Sequence, residues 1–253
     1  MNIEVSDCFQ TVMTIVLQGV EMKIGIMQPY FFPYIGYWQL LNAVDTFVIA
    51  DDYDYRKHSW IKRNHVLYDG KRIPITLEIK KASSNKKIYE TECVNDKKNI
   101  SKMLRKIEYA YKKSPNFDEV YPMVEEIINY KERNLALFLE NLIRKISSYL
   151  SIDTSIICSS SLDKNIEVDK QDKVIEICNL LGGREYLNAI GGTTLYSKEY
   201  FAARGIKLGF VHTKDIEYKQ FTKPPVKNLS IIDVLMFNSR EETKILLGEY
   251  DIV

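Results

Sequence analysis

The stretch from Lys23 to Asp52 constrains the fold more than any other part of the chain. Lys23-Ile24-Gly25-Ile26-Met27 is a short apolar strand pattern, and it runs into Gln28-Pro29-Tyr30-Phe31-Phe32-Pro33. Two prolines there forbid both a strand ladder and a helix interior. Residues 35–44 then place Ile35, Trp38 and Leu41 at helical spacing, and Phe47-Val48-Ile49-Ala50 is a second apolar strand ending in Asp51-Asp52. A β-loop-α-β unit with continuously apolar strands implies a parallel sheet. Its carboxyl-end loops, 28–34 and 51–60, then meet on one edge, where open α/β sheets bind their ligands.

The remaining pattern extends this plan. Asp69-Gly70 between residues 61–68 and 71–79 is a hairpin signal. Helical spacing occupies 97–113, 118–131 and 133–150, with breaks at Ser114-Pro115 and around Pro122, and reads as a helical subdomain inserted over about residues 97–150. A strand at 154–158 precedes Ser159-Ser160-Ser161 and a charged loop. A helix at 169–181 ends at Gly182-Gly183. A strand at 186–190 runs into Gly191-Gly192 and a predicted helix at 193–203, and a strand follows at 206–212. Ser230 caps a helix at 231–237. The expected fold is α/β, with a central, mostly parallel sheet of Rossmann-like type, an antiparallel hairpin and the helical insertion, in one domain over residues 22–253. Residues 1–21 read as an extension outside it. Their apolar stretch, Thr11 to Val20, is short, carries Gln18 and lacks a basic flank, which fits neither a signal peptide nor a membrane span.

Composition removes several functions. Among 253 residues, 35 Lys plus Arg meet 34 Asp plus Glu, so no global field favours nucleic acid or an anionic membrane. Four cysteines without a Cys-x-x-Cys pair offer no zinc set and are expected to be reduced thiols, as in a cytoplasmic protein. No Walker A, Gly-x-Gly-x-x-Gly, His-Glu-x-x-His or Gly-x-Ser-x-Gly motif is present, which disfavours P-loop, dinucleotide, zinc-hydrolase and α/β-hydrolase chemistry. No metal or cofactor is implied. The compositional excess is 17 Tyr, and Tyr30, Tyr34, Tyr37, Tyr53, Tyr55, Tyr196 and Tyr218 fall in or beside predicted loops.

The densest polar cluster is 51–64. Asp51 or Asp52 is a candidate general base, or else a turn cap. His58 is a candidate proton shuttle, or else an ordinary loop histidine. Arg63 is a phosphate clamp or a surface ion pair, and Trp60 a contact residue or core. Gly191-Gly192 before a helix suits phosphate or carboxylate, or makes a plain turn. Asp233 either favours the helix dipole or points into a site. His65, His212 and Cys178 read as structural.

The segments 28–37, Ala43-Val44-Asp45, Asp51-Asp52 and Trp60-Ile61-Lys62-Arg63-Asn64 resemble the WbqC-like family of bacterial proteins. So do Ser114-Pro115, Tyr186-Leu187 with Gly191-Gly192 and Tyr196, Tyr218-Lys219-Gln220, and Ser230-Ile231-Ile232-Asp233 with Asn238. The resemblance covers residues 22–240. It implies a role in bacterial surface polysaccharide (O-antigen) biosynthesis: transfer of a small acyl or aminoacyl group, such as glycyl, to the amine of a nucleotide-linked amino sugar. An acyl carrier protein or a CoA thioester would be the donor. The alternative is a non-catalytic protein of the same pathway that binds a glycan or a partner. The site residues it suggests are Gln28, Asp51, Asp52, Arg63, Asn64, Tyr186, Gly191, Gly192, Tyr196, Tyr218, Gln220 and Asp233, to which the residue-level reading adds Tyr30 and His58. The strand, Pro-rich loop, helix and strand also resemble the start of nucleotidylyltransferases of the His-x-Gly-His type, but Tyr34 and Tyr37 stand where both histidines would be.

Overall fold

The computed structural model describes residues 21–165 and 169–253. The expectation for the N-terminal extension lies outside these residues, as does part of the charged loop before residue 169.

Six strands form the central sheet, in the spatial order β10-β9-β8-β1-β2-β7. These are β1 (Lys23–Met27), β2 (Thr46–Ile49), β7 (Ser155–Cys158), β8 (Glu185–Ala189), β9 (Lys207–Thr213) and β10 (Tyr250–Ile252). All neighbours are parallel except β10, which pairs antiparallel with β9. Numbered by appearance within the sheet, the order is 3-2-1-4-5-6, that of doubly wound dinucleotide-binding sheets, and only the antiparallel sixth strand departs from it. The order reverses between β1 and β8, so a crevice at their carboxyl ends is the topological binding position.

Strand alternation divides the core between the two faces. Ile24, Ile26, Val48, Tyr186, Leu208 and Phe210 point to the side covered by α5 (Lys170–Leu180) and α6 (Lys198–Ala202). Phe47, Ile49, Leu187 and Val211 point to the other side, which carries α1 (Ile35–Asn42), α4 (Leu135–Tyr149), α7 (Ile231–Phe237) and α8 (Arg240–Leu247). Between β2 and β7 the chain makes the hairpin β3 (Arg63–Tyr68) and β4 (Lys71–Thr76), the short pair β5 (Ile79–Lys80) and β6 (Glu92–Cys93), and the helices α2 (Lys97–Tyr111) and α3 (Phe117–Ile128). The hairpin turn is as expected. Asp69 and Gly70 have φ of 49° and 68°, the double positive φ that a type I′ turn needs.

The break expected around Pro122 is absent: α3 runs unbroken over Phe117–Ile128 with Pro122 inside it. Three further local expectations differ from the structure. The strand predicted over 71–79 ends at Thr76, and Ile79–Lys80 pairs instead with Glu92–Cys93. The helix predicted over 193–203 is a 3-10 turn at Ile190–Thr194 followed by α6, which Ser197 caps by accepting from the Tyr200 amide. Gly191-Gly192 therefore does not open an α-helix. The β-branched Thr193 and Thr194 favour the helix weakly, while Ser197 supplies a strong cap farther on. Third, α8 and β10 close the chain beyond the expected elements, α8 opening on a Ser239–Glu242 capping box.

The proline-punctuated loop after β1 is held from several sides. Asn64, buried on β3, donates through Nδ2 to the carbonyls of Phe31 (3.3 Å) and Phe32 (2.7 Å). Ser230 Oγ donates to the same Phe32 carbonyl at 2.9 Å and caps α7 by accepting from Ile232 N. Trp38 Nε1 donates to Pro33 O, and Phe32 itself sits at φ 43°. Hairpin, α7 and α1 together fix a backbone that makes no sheet hydrogen bonds of its own.

Candidate functional site

Asp51 and Asp52 follow β2 at the carboxyl edge, in a tight turn that opens with a hydrogen bond from Asp51 N to Ile49 O (2.9 Å), and they point to different partners. Asp51 is buried, and its Oδ1 and Oδ2 accept from the amide (2.9 Å) and hydroxyl (2.5 Å) of Ser160, in the turn after β7. Asp52 is buried on the α5 side, where its Oδ2 lies 3.0 Å from the Nζ of both Lys164 and Lys173. At that distance each ammonium group interacts with the carboxylate by charge as well as by hydrogen bonding. Burial pushes the Asp52 carboxyl up, and the two lysines more than offset it, leaving it below the ordinary carboxylate value. The Lys164 side chain is only 2% exposed. Its Nζ also donates to Ser159 O. Lys173 Nζ stands 4.5 Å from the Tyr53 ring centroid. Two ammonium groups against one carboxylate leave a net positive charge, almost fully buried, at the end of the sheet.

Aromatic and amide groups from β8 and its turn lie beside this trio. Tyr186 is fully buried, stacks on Phe201 at 5.5 Å and meets Tyr196 edge-on at 5.7 Å. Its hydroxyl accepts from Asn188 Nδ2 at 2.6 Å, and its pKa is pushed well above the usual value by burial and then by Tyr196. Burial and the nearby Tyr196 and Asp52 likewise raise Tyr53. Gly192 backs onto Asn188: a β-carbon there would lie 3.0 Å from the Asn188 side chain. Gly191 is exposed with open space around it. On the neighbouring strand, Gln28 caps β1 half-buried and makes no side-chain hydrogen bond to any described residue. Tyr30 packs at 5.7 Å on Tyr37, whose hydroxyl is buried without a partner, as is the Ser159 hydroxyl. Gln28, Tyr30, Asp51, Asp52, Gly191, Gly192 and Tyr196 thus all belong to the carboxyl ends of adjacent strands or the turns following them, whereas Tyr186, beside Ile24 near the amino end of its strand, is core and meets them through Tyr196 and Asn188.

Other expected site residues lie elsewhere. Asn64 holds the proline loop, as described above. Arg63 begins β3, donating from Nη2 to His58 O at 3.3 Å, and its Nε is buried without a partner. His58 is exposed. Tyr218, Gln220 and Asp233 form a closed knot. The Asp233 carboxylate, fully buried, accepts from Tyr218 Oη (2.7 Å), Gln220 Nε2 (2.7 Å) and Tyr111 Oη (2.8 Å). Burial raises its pKa, and the three donors only partly counter that. Gln220 in turn exchanges hydrogen bonds with the backbone of Val226, and Tyr111 Oη accepts from Leu67 N. The knot ties the loop before α7 to α2 and the hairpin. Trp60 is 47% exposed, with its ring 5.9 Å from His65. Cys178 is buried, its thiol pushed up to about 12 by burial, so it packs as a small apolar group.

Lys164 and Lys173 are the residues the sequence reading missed. Both sit in charged stretches that periodicity assigns to solvent, and each lies more than 100 residues from Asp52. No group of three or more His, Cys, Asp or Glu among the described residues is arranged to hold a metal ion.

The signature of the WbqC-like protein family matches residues 28–245. This chain belongs to that family. A WbqC-like chain is therefore what the carboxyl edge above has to explain, because Gln28, Asp51, Asp52 and Tyr196 all fall within the match. The chain is also similar to the Mycobacterium tuberculosis (strain ATCC 25618 / H37Rv) protein described as "Uncharacterized protein Rv1507c", 27% identical over 219 residues, covering 85% of this chain and 93% of that protein. No solved structure matches it. Among the described residues no helix is long and apolar enough to cross a membrane.

Proposed function

We propose that this WbqC-like protein is a transferase of surface polysaccharide (O-antigen) biosynthesis that binds a nucleotide-linked amino sugar at the carboxyl edge of the sheet and moves a small acyl or aminoacyl group onto the sugar amine. The observation that carries the reading is the buried Asp52–Lys164–Lys173 trio at the carboxyl ends of β2 and β7, next to β1, on whose other side the strand order reverses. Buried charge is costly and seldom retained for stability alone, since well-packed apolar groups often do as well. Here it sets two ammonium groups on the single carboxylate of Asp52, which leaves donors for a phosphate.

In this reading Lys164 and Lys173 meet the phosphates, the Gly191-Gly192 turn leaves open space beside them, and Tyr53 and Tyr196 flank base or sugar. Gln28 offers a free amide to sugar hydroxyls. Asp51, oriented through both oxygens by Ser160, takes the proton as the amine attacks the thioester carbonyl. The carbon–nitrogen bond forms, the carbon–sulfur bond breaks, and the departing thiolate takes up a proton. Asp52, held ionised by two lysines, is a poor base and a good electrostatic anchor. The donor is an acyl carrier protein or CoA thioester, and the protein works in the cytoplasm. A second reading, a non-catalytic glycan- or partner-binding protein, is favoured by one observation: both carboxylates already have partners.

Incubation of purified protein with an acyl-CoA and a UDP-linked amino sugar separates the two. Saturable formation of the N-acylated sugar nucleotide, abolished by Asp51→Asn, is expected. Binding of the sugar nucleotide without turnover supports the second reading, and neither binding nor turnover contradicts both.

A further inference from the structure

The protein has a near-neutral net charge of +1, yet residues 97–113 hold seven Lys or Arg against Glu108 alone. Two of these, Lys97 and Arg105, border a cleft of about 800 Å³ between α2, α3 and the segment that follows α3. Lys97, Arg105, Lys131 and Arg133 line it, and none of the four forms an ion pair with a described residue. The Arg133 Nε is buried with no hydrogen-bond partner. An unpaired buried guanidinium donor is costly to maintain without a ligand.

The wall that carries Arg133 is rigid. Its carbonyl accepts from Cys93 N at 2.7 Å, its amide and that of Asn134 both donate to Glu132 Oε1 at 2.7 Å, and Leu135 N donates to Thr91 O at 2.8 Å. Binding therefore requires little ordering of the backbone, which is how a preorganised site gains affinity. The same cleft is lined by Glu108 and Glu125, acceptors suited to a ribose diol, and by Tyr121, which stacks on Phe117 at 4.7 Å. The volume lies within the usual range for small-molecule sites, roughly 300–1,000 Å³.

We infer that the cleft between α2 and α3 binds a nucleoside phosphate, with Arg105, Lys131 and Arg133 on the phosphates. This site is separate from the carboxyl edge and does not depend on the function proposed there. Calorimetric titration of the full chain with ADP, adenosine and inorganic phosphate tests it. ADP is expected to bind saturably and at least ten-fold more tightly than adenosine, with phosphate competing. Arg133→Gln is expected to weaken ADP at least ten-fold, and the exposed pair Lys131→Gln with Arg105→Gln gives the same answer should Arg133→Gln fold poorly. Absence of ADP binding at millimolar concentration overturns the inference. So does binding that is unchanged in these variants, or that is lost only in the carboxyl-edge variant Lys173→Gln.

Discussion

Two buried carboxylates carry opposite energetics. Asp233 is surrounded by neutral donors, and removing it by Asp233→Ala strands three of them, so a loss of about 3–5 kcal/mol is expected in urea denaturation. Tyr218→Phe removes one donor and should cost about 1–2 kcal/mol. Asp52 is stabilised as an anion by Lys164 and Lys173, with a folded pKa below the ordinary aspartate value of 3.8. Its contribution is therefore complete above about 3.8 and is lost as pH falls through the lower folded value. The stability difference between wild type and Asp52→Asn should be about 3–5 kcal/mol at neutral pH and shrink as pH drops below 3.8. A difference independent of pH would show that the lysines do not hold Asp52 ionised. At this scale the sequence marks Asp51, Asp52 and Asp233 as unusual, because acids next to apolar runs stand out. It does not mark Lys164 and Lys173, whose burial exists only once the loop after β7 and α5 fold over the sheet edge.

At the scale of elements, the β1–loop–α1–β2 unit is where sequence and structure agree most closely, since its strands are apolar throughout and its prolines leave the connecting loop few alternatives. The divided second hairpin strand and the 3-10 turn after β8 were not legible, because each depends on a partner distant in the chain or on a competing cap a few residues on. The capping box at Ser239–Glu242 was a signal available for α8. Gly36 gives a direct test of how α1 is seated. Alanine normally favours a helix interior by about 1 kcal/mol over glycine. Here a β-carbon would lie 2.5 Å from the Tyr34 ring and 2.6 Å from Thr213 Oγ1, so Gly36→Ala should lose about 1–3 kcal/mol in thermal or urea melts. A stabilised variant would mean that α1 does not press against β9 as closely as described. Asn64→Ala, which frees two carbonyls of the proline loop, should cost about 2–3 kcal/mol while leaving the hairpin formed.

For the whole molecule, the arrangement that matters is the carboxyl edge of the sheet, with the buried Lys164 and Lys173 beside the ends of β2 and β7, next to the strand reversal between β1 and β8, and a separate basic cleft on the helical insertion. The tyrosine excess divides along the same lines. Tyr30, Tyr53 and Tyr196 border the carboxyl edge, whereas Tyr37, Tyr55, Tyr111 and Tyr186 are core. The central claim is that the carboxyl edge binds a sugar nucleotide through Lys164 and Lys173. The measurement that tests it most directly is the shift in thermal unfolding of wild type and Lys173→Gln on adding a UDP-linked amino sugar. At about 100 times its dissociation constant the ligand should stabilise wild type by roughly 2.7 kcal/mol. In Lys173→Gln the shift should largely vanish, while the ADP response of the α2–α3 cleft persists. An equal shift in both proteins, or none in wild type, would contradict the account.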